Sequence, residues 1–191
     1  MGIKTAIVRA GQLAGPSTDA GGAAWNRHEW LPTIVHTSKV LKKLPRTLGN
    51  MDRVDWVPMD VAAGTVIDIA NATISEPEPV QVYHLVNPHT TTWDQLYHVI
   101  RDFYTKDSRD DMEIVDFNDW VDELAQIPQT KENAERVPGL KLLDFYQSLR
   151  PESVGLPALD TRRTESVSST LREGRAVDAE VISKWLEQWA F

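Results

Sequence analysis

The residues with the clearest potential for chemistry follow the first strand-like segment of the chain. Arg9 comes after an apolar run at residues 3–8, and Gly11 and Gly15 follow in a turn-forming segment. Ligands of parallel α/β sheets bind at the carboxyl ends of the strands, so Arg9 could face a ligand. A structural arginine that bonds to loop carbonyl groups is the alternative, and the sequence leaves both open.

Histidines raise the question of a metal site. His28-Glu29 begins like the zinc motif H-E-x-x-H, but Pro32 occupies the position of the second histidine. His84 and His89 flank the end of another strand-like run, and no third converging ligand accompanies them. The chain also contains no cysteine. We therefore expect no metal site.

Composition excludes several classes of partner. The 191 residues carry a net charge of -8, which opposes nucleic-acid binding because phosphates demand clustered Lys and Arg. No apolar run approaches the roughly 20 residues of a membrane span. The first residues also lack the pattern of a secretory signal. We therefore expect a cytoplasmic protein that binds neither nucleic acid nor membrane.

The first elements must position the segment around Gly11. Residues 3–8 are predicted to form a buried parallel strand, because they are β-branched and nearly continuously apolar. A helix is predicted over about 30–44, with Pro32 in its first turn and Pro45 at its end. A short strand is then predicted over residues 54–58.

A second helix and strand follow. Asp60 is predicted to cap a helix over residues 61–72, because its carboxylate can accept free backbone N–H groups. Gly64 inside that helix indicates close packing. Residues 80–86 form the second strong strand pattern, and Thr92 with Gln95 has the spacing of a capping box.

The remainder of the chain has mainly helical patterns. A short strand is predicted over 112–117, a surface loop over 129–136, and a final helix capped by Asp178. The fold class is therefore α/β: a partial Rossmann-type parallel sheet plus a small, mostly helical subdomain. We predict a sheet domain over residues 1–110, with a helical insertion at about 25–50, and a helical domain over 111–191.

Three segments together resemble a known family. They read IVRAGQLAG at residues 7–15, VDWVPMDVA at 54–62 and VYHLVNP at 82–88. This combination is similar to the C-terminal part of thioester reductase (R) domains, a branch of the extended short-chain dehydrogenases. Such domains occur in fungal NRPS-like enzymes, aminoadipate reductase and carboxylic acid reductases. Members use NADPH to release a carrier-bound acyl thioester as an aldehyde or alcohol.

The sequence departs from this family at two motifs. The ten glycines include no G-x-x-G-x-x-G arrangement, which lets the backbone approach a dinucleotide pyrophosphate. None of the four tyrosines is followed by lysine at the fourth position, so the family's catalytic Tyr-x-x-x-Lys pair is absent. Both motifs lie upstream of this region in the family, so truncation is the simplest explanation. We therefore expect no catalytic residue here and no NADPH binding by the isolated chain.

The resemblance implies two sets of site residues. Ala10, Gly11 and Gln12 would line the nicotinamide edge, although a plain tight turn explains them equally well. Trp25, His28 and Trp30 could line the acyl or pantetheine channel, with packing of the subdomain as the alternative.

The resemblance also implies partners. They are an acyl-carrier protein with its phosphopantetheine arm and the missing upstream Rossmann portion. A non-catalytic module that docks a carrier protein or a catalytic partner is the alternative function. Because the 3–8 strand would lack one neighbour, we also expect self-association through an open sheet edge.

Overall fold

The computed structural model describes residues 3–18, 22–75, 80–106, 111–150 and 157–191. Short strands and helices alternate along the first half of the described chain, and helices dominate the second half, which confirms the α/β class. In chain order, the elements are β1 (Thr5–Ala10), β2 (Leu13–Ala14), α1 (Trp30–Leu41), β3 (Lys43–Pro45), β4 (Arg53–Val54), β5 (Val57–Pro58), α2 (Met59–Ser75), β6 (Val80–Leu85), β7 (Thr91–Thr92), α3 (Tyr97–Thr105), β8 (Glu113–Val115), α4 (Phe117–Gln126), α5 (Lys131–Arg136), α6 (Leu143–Ser148), α7 (Arg162–Val167), α8 (Ser169–Arg172) and α9 (Ala179–Trp189). Three short 3-10 helices lie at Gly49–Met51, Trp93–Gln95 and Pro138–Leu142.

The chain divides into two compact units that are discontinuous in sequence. The first comprises Met1–Ala24, Val54–Thr91 and Pro157–Val177, and the second comprises Trp25–Arg53, Thr92–Leu156 and Asp178–Phe191. These units differ from the contiguous ranges 1–110 and 111–191, and that division into domains stays a prediction.

The first unit is built on a parallel pair of strands. β1 pairs with β6 from Thr5 opposite Val80 to Ala10 opposite Leu85. β1 therefore begins two residues later than predicted, because its partner strand begins at Val80. The prediction that this strand is buried was wrong, since its residues are exposed or half-buried and Ile7 is 46% exposed. β2 and β5 form a second, shorter parallel pair.

Helix α2 packs in this unit through small side chains. It begins at Met59, so Asp60 lies inside its first turn and is not the predicted cap. A Cβ atom built on Gly64 would come within 2.8 Å of the Thr170 Cγ2 atom of α8. The predicted close approach at Gly64 is therefore present.

The second unit is held together by aromatic side chains and a short parallel pair. α1 ends earlier than predicted, because Lys42 adopts a left-handed conformation with φ 55° and donates its N–H to the Ser38 carbonyl. The next residues form β3, which pairs with β8, so Leu44 is buried in a strand. Asp178 accepts from the Val181 N–H at 3.0 Å and caps α9 as predicted.

Two further predictions do not match the structure of this unit. Thr92 makes no capping bond to a helix, and Trp93–Gln95 forms a 3-10 turn before α3 begins at Tyr97. The predicted loop at 129–136 contains α5, whose N-terminus is capped by the Thr130 hydroxyl. Among the helices that the structure describes, none is long and apolar enough to cross a membrane.

Candidate functional site

The segment Ala10–Gly11–Gln12 lies at the carboxyl ends of the first unit's strands. Ala10 is the last paired residue of β1, opposite Leu85. The Gly11 N–H donates to the Leu85 carbonyl at 3.0 Å, and the Gln12 carbonyl accepts from the Val57 N–H at 2.9 Å. The structure thus brings the three predicted cofactor residues together in one segment held by β5 and β6. Ala10 and Gly11 are exposed, and Gln12 is half-buried.

Gly11 has a steric reason to be glycine. A Cβ atom there would lie 3.1 Å from Val86 Cγ2, which is closer than ordinary van der Waals contact. A larger residue would require the Val86 side chain to give way or the turn to open. The glycine therefore keeps the backbone of this turn against the end of β6.

Asn87 organises the same edge, a role that the sequence analysis missed. Its side-chain NH2 group donates to the Trp56 carbonyl at 3.1 Å and the Arg175 carbonyl at 3.0 Å. Its backbone N–H donates to Asp55, and its side-chain oxygen accepts from the His89 N–H. An asparagine directly after a buried strand was the available signal, because a buried amide must find hydrogen-bond partners.

The other edge of β6 is occupied by a side chain. The Thr164 hydroxyl accepts from the His84 N–H at 3.1 Å and donates to the His84 carbonyl at 2.7 Å. Thr164 thereby replaces the backbone partner that a further strand would supply. Arg9, which lies opposite His84 across the strand pair, is exposed. Its side chain makes no hydrogen bond within the described residues, so the structural role of bonding loop carbonyls is not seen.

The loop after β2 is tied to α2 by Asp60. Its carboxylate accepts from the Ser17 N–H at 3.0 Å, the Ser17 hydroxyl at 2.8 Å and the Thr18 hydroxyl at 2.9 Å. Partial burial raises the pKa of Asp60, but these hydrogen bonds together lower it by more than burial raises it. The pKa of Asp60 therefore lies below its ordinary value of 3.8. Asp60 is therefore charged at neutral pH and holds the loop.

Trp25, one of the predicted substrate residues, lies in an aromatic cluster of the second unit. Its ring centroid is 4.8 Å from that of Trp185 and 5.7 Å from that of Trp189. Its indole N–H donates to Glu29 at 2.8 Å, and its carbonyl accepts from the Trp189 indole at 3.2 Å. Trp25 is 1% exposed, so its ring serves packing within this unit.

The other two predicted substrate residues make different contacts. The Trp30 ring is 5.9 Å from Phe145, and the Trp30 carbonyl accepts from the Tyr146 hydroxyl at 2.8 Å. His28 is exposed, and its backbone N–H donates to the Asn26 side chain at 3.0 Å. The structure thus places Trp30 beside the aromatic residues Phe145 and Tyr146, and His28 on the surface. Their role in substrate binding stays a prediction.

Two of the tyrosine hydroxyls are poorly suited to donate a proton. Burial raises the pKa of Tyr104 to about 12 and raises the pKa of Tyr146 further still. The Tyr146 hydroxyl is already committed to the Trp30 carbonyl. No tyrosine hydroxyl in the described part bonds to a lysine, and no group of three or more His, Cys, Asp or Glu side chains there could hold a metal ion.

Comparison with known proteins finds a carboxylic acid reductase, adenylate-forming reductases and polyketide synthases, although no family model matches the sequence. A carboxylic acid reductase of Neurospora crassa is 34% identical over 195 residues, covering 100% of this chain. A non-reducing polyketide synthase, SAT8 of Stachybotrys chartarum, is 31% identical and covers 98% of the chain. The chain spans only 18% and 7% of the lengths of these two proteins.

Solved structures of reductase domains share this fold. The terminal R domain of the myxalamid PKS-NRPS pathway has a TM-score of 0.71 at 20% identity, over 96% of this chain and 43% of that one. The R domain of a nonribosomal peptide synthetase from Mycobacterium tuberculosis has a TM-score of 0.67 at 16% identity, over 98% and 46% of the two chains. By sequence and by fold, the chain belongs to the reductase (R) domain family of carboxylic acid reductases, NRPS-like adenylate-forming reductases and polyketide synthases, and spans part of such a domain.

Proposed function

We propose that this chain is the C-terminal, substrate-side portion of an NADPH-dependent thioester reductase that releases a carrier-bound acyl group. The observation that carries the proposal is the match of reductases to the entire chain, at 34% identity for a carboxylic acid reductase. The R-domain fold, found over 96% of the chain, supports the same conclusion.

The proposed reaction begins with the acyl thioester on a phosphopantetheine arm. The bound cofactor supplies a hydride, which the acyl carbon accepts. The C–S bond then breaks, the thiolate of the arm takes a proton, and the acyl group leaves as an aldehyde. A second hydride and a proton would give the alcohol. The role of this chain is to shape the acyl pocket and one edge of the cofactor cleft.

On the cofactor side, Ala10, Gly11 and Gln12 fit a nicotinamide edge and do not fit the phosphates. The segment is open at Ala10 and Gly11, and it lies at the carboxyl ends of the strands, where α/β sheets bind their ligands. A pyrophosphate would need a glycine-rich turn at a helix N-terminus, which this sequence lacks. The phosphate contacts would therefore come from other sequence.

On the substrate side, Trp25, His28 and Trp30 are the proposed residues of the acyl or pantetheine channel, where the buried Trp25 ring would support the wall from behind. The two buried tryptophans give this part of the second unit its fixed shape through Trp185 and Phe145. His28 is exposed beside them in sequence and could contact the arm. A rigid aromatic wall with one polar residue suits an acyl chain linked to a polar arm.

The isolated chain is expected to be inactive. It lacks the Tyr-x-x-x-Lys pair, and the two tyrosines most buried in the second unit have a raised pKa. Most dinucleotide affinity is expected from pyrophosphate contacts that the chain cannot make. NADPH should therefore bind very weakly or not at all.

The test compares the chain alone with the chain fused to the remaining part of the R domain of the Neurospora crassa reductase. Calorimetry with NADPH and an NADPH-consumption assay with an acyl-pantetheine thioester are run on both proteins, and products are identified by mass spectrometry. We expect no saturable NADPH binding and no consumption with the chain alone, and aldehyde or alcohol from the fusion. Turnover by the purified chain alone would contradict its inactivity.

The same experiment addresses the alternative, a non-catalytic module that docks a carrier protein or catalytic partner. A folded fusion that binds NADPH and yields no product, together with a chain that binds the phosphopantetheinylated carrier, would favour the module. The negative charge of the chain gives no electrostatic support for docking an acidic carrier.

A further inference from the structure

A small cavity lies in the second unit, between α5 and the 3-10 helix Pro138–Leu142. It has a volume of about 230 Å³. Two lysines, a threonine and a glutamine line it together with two apolar residues. The described lining residues are Gln129, Thr130, Lys131, Ala134, Leu140 and Lys141. This cavity plays no part in the proposed chemistry.

The wall on the α5 side is held by local hydrogen bonds. The Thr130 hydroxyl accepts from the Asn133 N–H at 3.2 Å, and the Pro128 carbonyl accepts from the Asn133 side chain at 2.9 Å. Lys131 and Ala134 are three residues apart in α5, so both face the cavity. The positions of the Lys131 and Ala134 backbones are therefore fixed before any ligand binds.

The opposite wall is anchored to α1. The Gly139 N–H donates to the Thr37 hydroxyl at 2.9 Å, and a Cβ atom on Gly139 would lie 2.7 Å from that oxygen. Leu140, 6% exposed, packs into the interior and leaves Lys141 at the rim. Two independently anchored segments thus present Lys131 and Lys141 to one concavity.

The charge of this cavity is opposite to that of the whole chain. Lys131 and Lys141 form no ion pair or hydrogen bond within the described residues, although the chain has 28 acidic residues. None of the described lining residues carries a carboxylate. An anion that binds between two lysines lacking an ion-pair partner would be attracted by both charges.

We propose that this cavity binds a phosphate ester. The lysines would contact the phosphate oxygens as point charges, and the Thr130 hydroxyl and Gln129 amide could donate to the same group. Ala134 and Leu140 would contact the first carbons of the alcohol part. A concavity of this volume suits one small group, whereas an acidic protein surface would be met by a broader, flatter basic patch. The ester comes either from a free metabolite or from the phosphopantetheine arm of a carrier, and the second source rests on the function proposed above.

The test is an NMR titration of the 15N-labelled chain at constant ionic strength. Three probes are used separately: glycerol 3-phosphate, pantetheine 4′-phosphate and pantetheine. We expect saturable shifts of the amide signals of Thr130, Lys131 and Lys141 with both phosphate esters, and none with pantetheine. Tighter binding of pantetheine 4′-phosphate than of glycerol 3-phosphate would identify the carrier arm as the source, and equal binding would identify a free ester.

Charge-neutralising variants localise the site. Lys131→Gln with Lys141→Gln should weaken binding at least about tenfold, because both point charges are lost. Lys106→Gln removes the same charge from an exposed lysine outside the cavity and should leave binding within about twofold. Unsaturable shifts, or equal weakening by Lys106→Gln, would overturn the proposal. Failure of the fusion to reduce thioesters would leave these binding results unaffected, so the two proposals can fail separately.

Discussion

At the residue scale, Asp60 makes long-range hydrogen bonds where the sequence predicted a helix cap. An aspartate before a helical pattern predicts an N-cap. The helix instead begins at Met59, the residue before Asp60. The Asp60 carboxylate accepts hydrogen bonds from Ser17 and Thr18, more than 40 positions away in sequence. Such a contact has no local pattern, so it could not be predicted from sequence.

We expect Asp60→Asn to destabilise the chain by about 1–2 kcal/mol at pH 7, because hydrogen bonds to a charged acceptor are lost from a partly exposed site. The pKa of Asp60 is lowered in the folded chain, so its stabilisation is complete above its ordinary value of 3.8 and is lost as pH falls further. Urea unfolding at pH 7 and pH 3 checks this. The difference between variant and wild type should shrink at pH 3.

The matched control is Asp144→Asn, which neutralises an exposed aspartate in the first turn of α6. Its effect should stay within about 0.5 kcal/mol. If both variants lose equal stability, net charge and not the hydrogen bonds of Asp60 is responsible.

The site residues that could be predicted are those marked by a pattern that is continuous in sequence, whereas the others depend on contacts from distant segments. Ala10, Gly11 and Gln12 were predicted to lie together, and the strand-then-glycine pattern was sufficient because β1 and its turn are continuous in sequence. Asn87 was missed because three of its four hydrogen-bond partners come from segments distant in sequence. The sequence left open whether Trp25 packs in an aromatic core or lines a channel. The structure shows that its ring contacts Trp185 and Trp189.

At the element scale, strong hydrophobic periodicity predicted where helices and strands occur, whereas the residues at which they begin and end depend on tertiary contacts. The α9 pattern and its Asp178 cap were predicted and are present. α1 ended early because Leu44 is used in the strand pair with β8, a partner about 70 residues away. α5 was predicted as loop, since five of its six residues are polar; in the structure the Thr130 hydroxyl caps its N-terminus.

Gly64 tests the packing of α2 against α8. In an exposed helix, Gly→Ala stabilises by about 1 kcal/mol. Here the new methyl group would lie 2.8 Å from Thr170 Cγ2, so we expect Gly64→Ala to destabilise by about 1 kcal/mol or more. Denaturant unfolding of Gly64→Ala, Thr170→Ala and the double variant checks this. The double variant should be more stable than the sum of the single effects.

Ala63→Gly is the control for helix propensity at the neighbouring exposed position. It should cost about 1 kcal/mol with no dependence on Thr170. A stabilising effect of Gly64→Ala would show that α8 does not approach α2 as closely as the structure has it.

Trp185 tests the aromatic core of the second unit. It is fully buried against Trp25, and Val181 and Trp189 line the same face of α9. Trp185→Ala should cost about 3–5 kcal/mol and lower Tm by many degrees. Glu187→Ala, at an exposed position of the same helix, should change Tm little. An unchanged Tm for Trp185→Ala would contradict the packing of this helix.

At the scale of the whole molecule, two features bear on association: the length of the chain relative to its structural neighbours and the exposed apolar side chains of its first unit. The chain spans less than half the length of the R-domain structures that share its fold. In its first unit, large apolar side chains are exposed just before β1 (Ile3), in β1 and β6 (Ile7 and Val80) and in α2 (Ile67 and Ile74). Such a surface marks an interaction site or an aggregation liability.

The last prediction concerns the edge of β1. In the described part of the chain, β1 pairs with β6 alone, so its other edge presents unpaired N–H and C=O groups beside the 46%-exposed Ile7. We expect the isolated chain to self-associate through this edge. Ile7→Lys should reduce the association by adding a charge there, whereas Phe103→Lys, at a 39%-exposed residue of the second unit, should not. Light scattering and sedimentation velocity across a concentration series measure the difference. A monomeric wild-type chain at high concentration would show that the edge is covered, and equal dissociation by both variants would assign the association to general hydrophobicity.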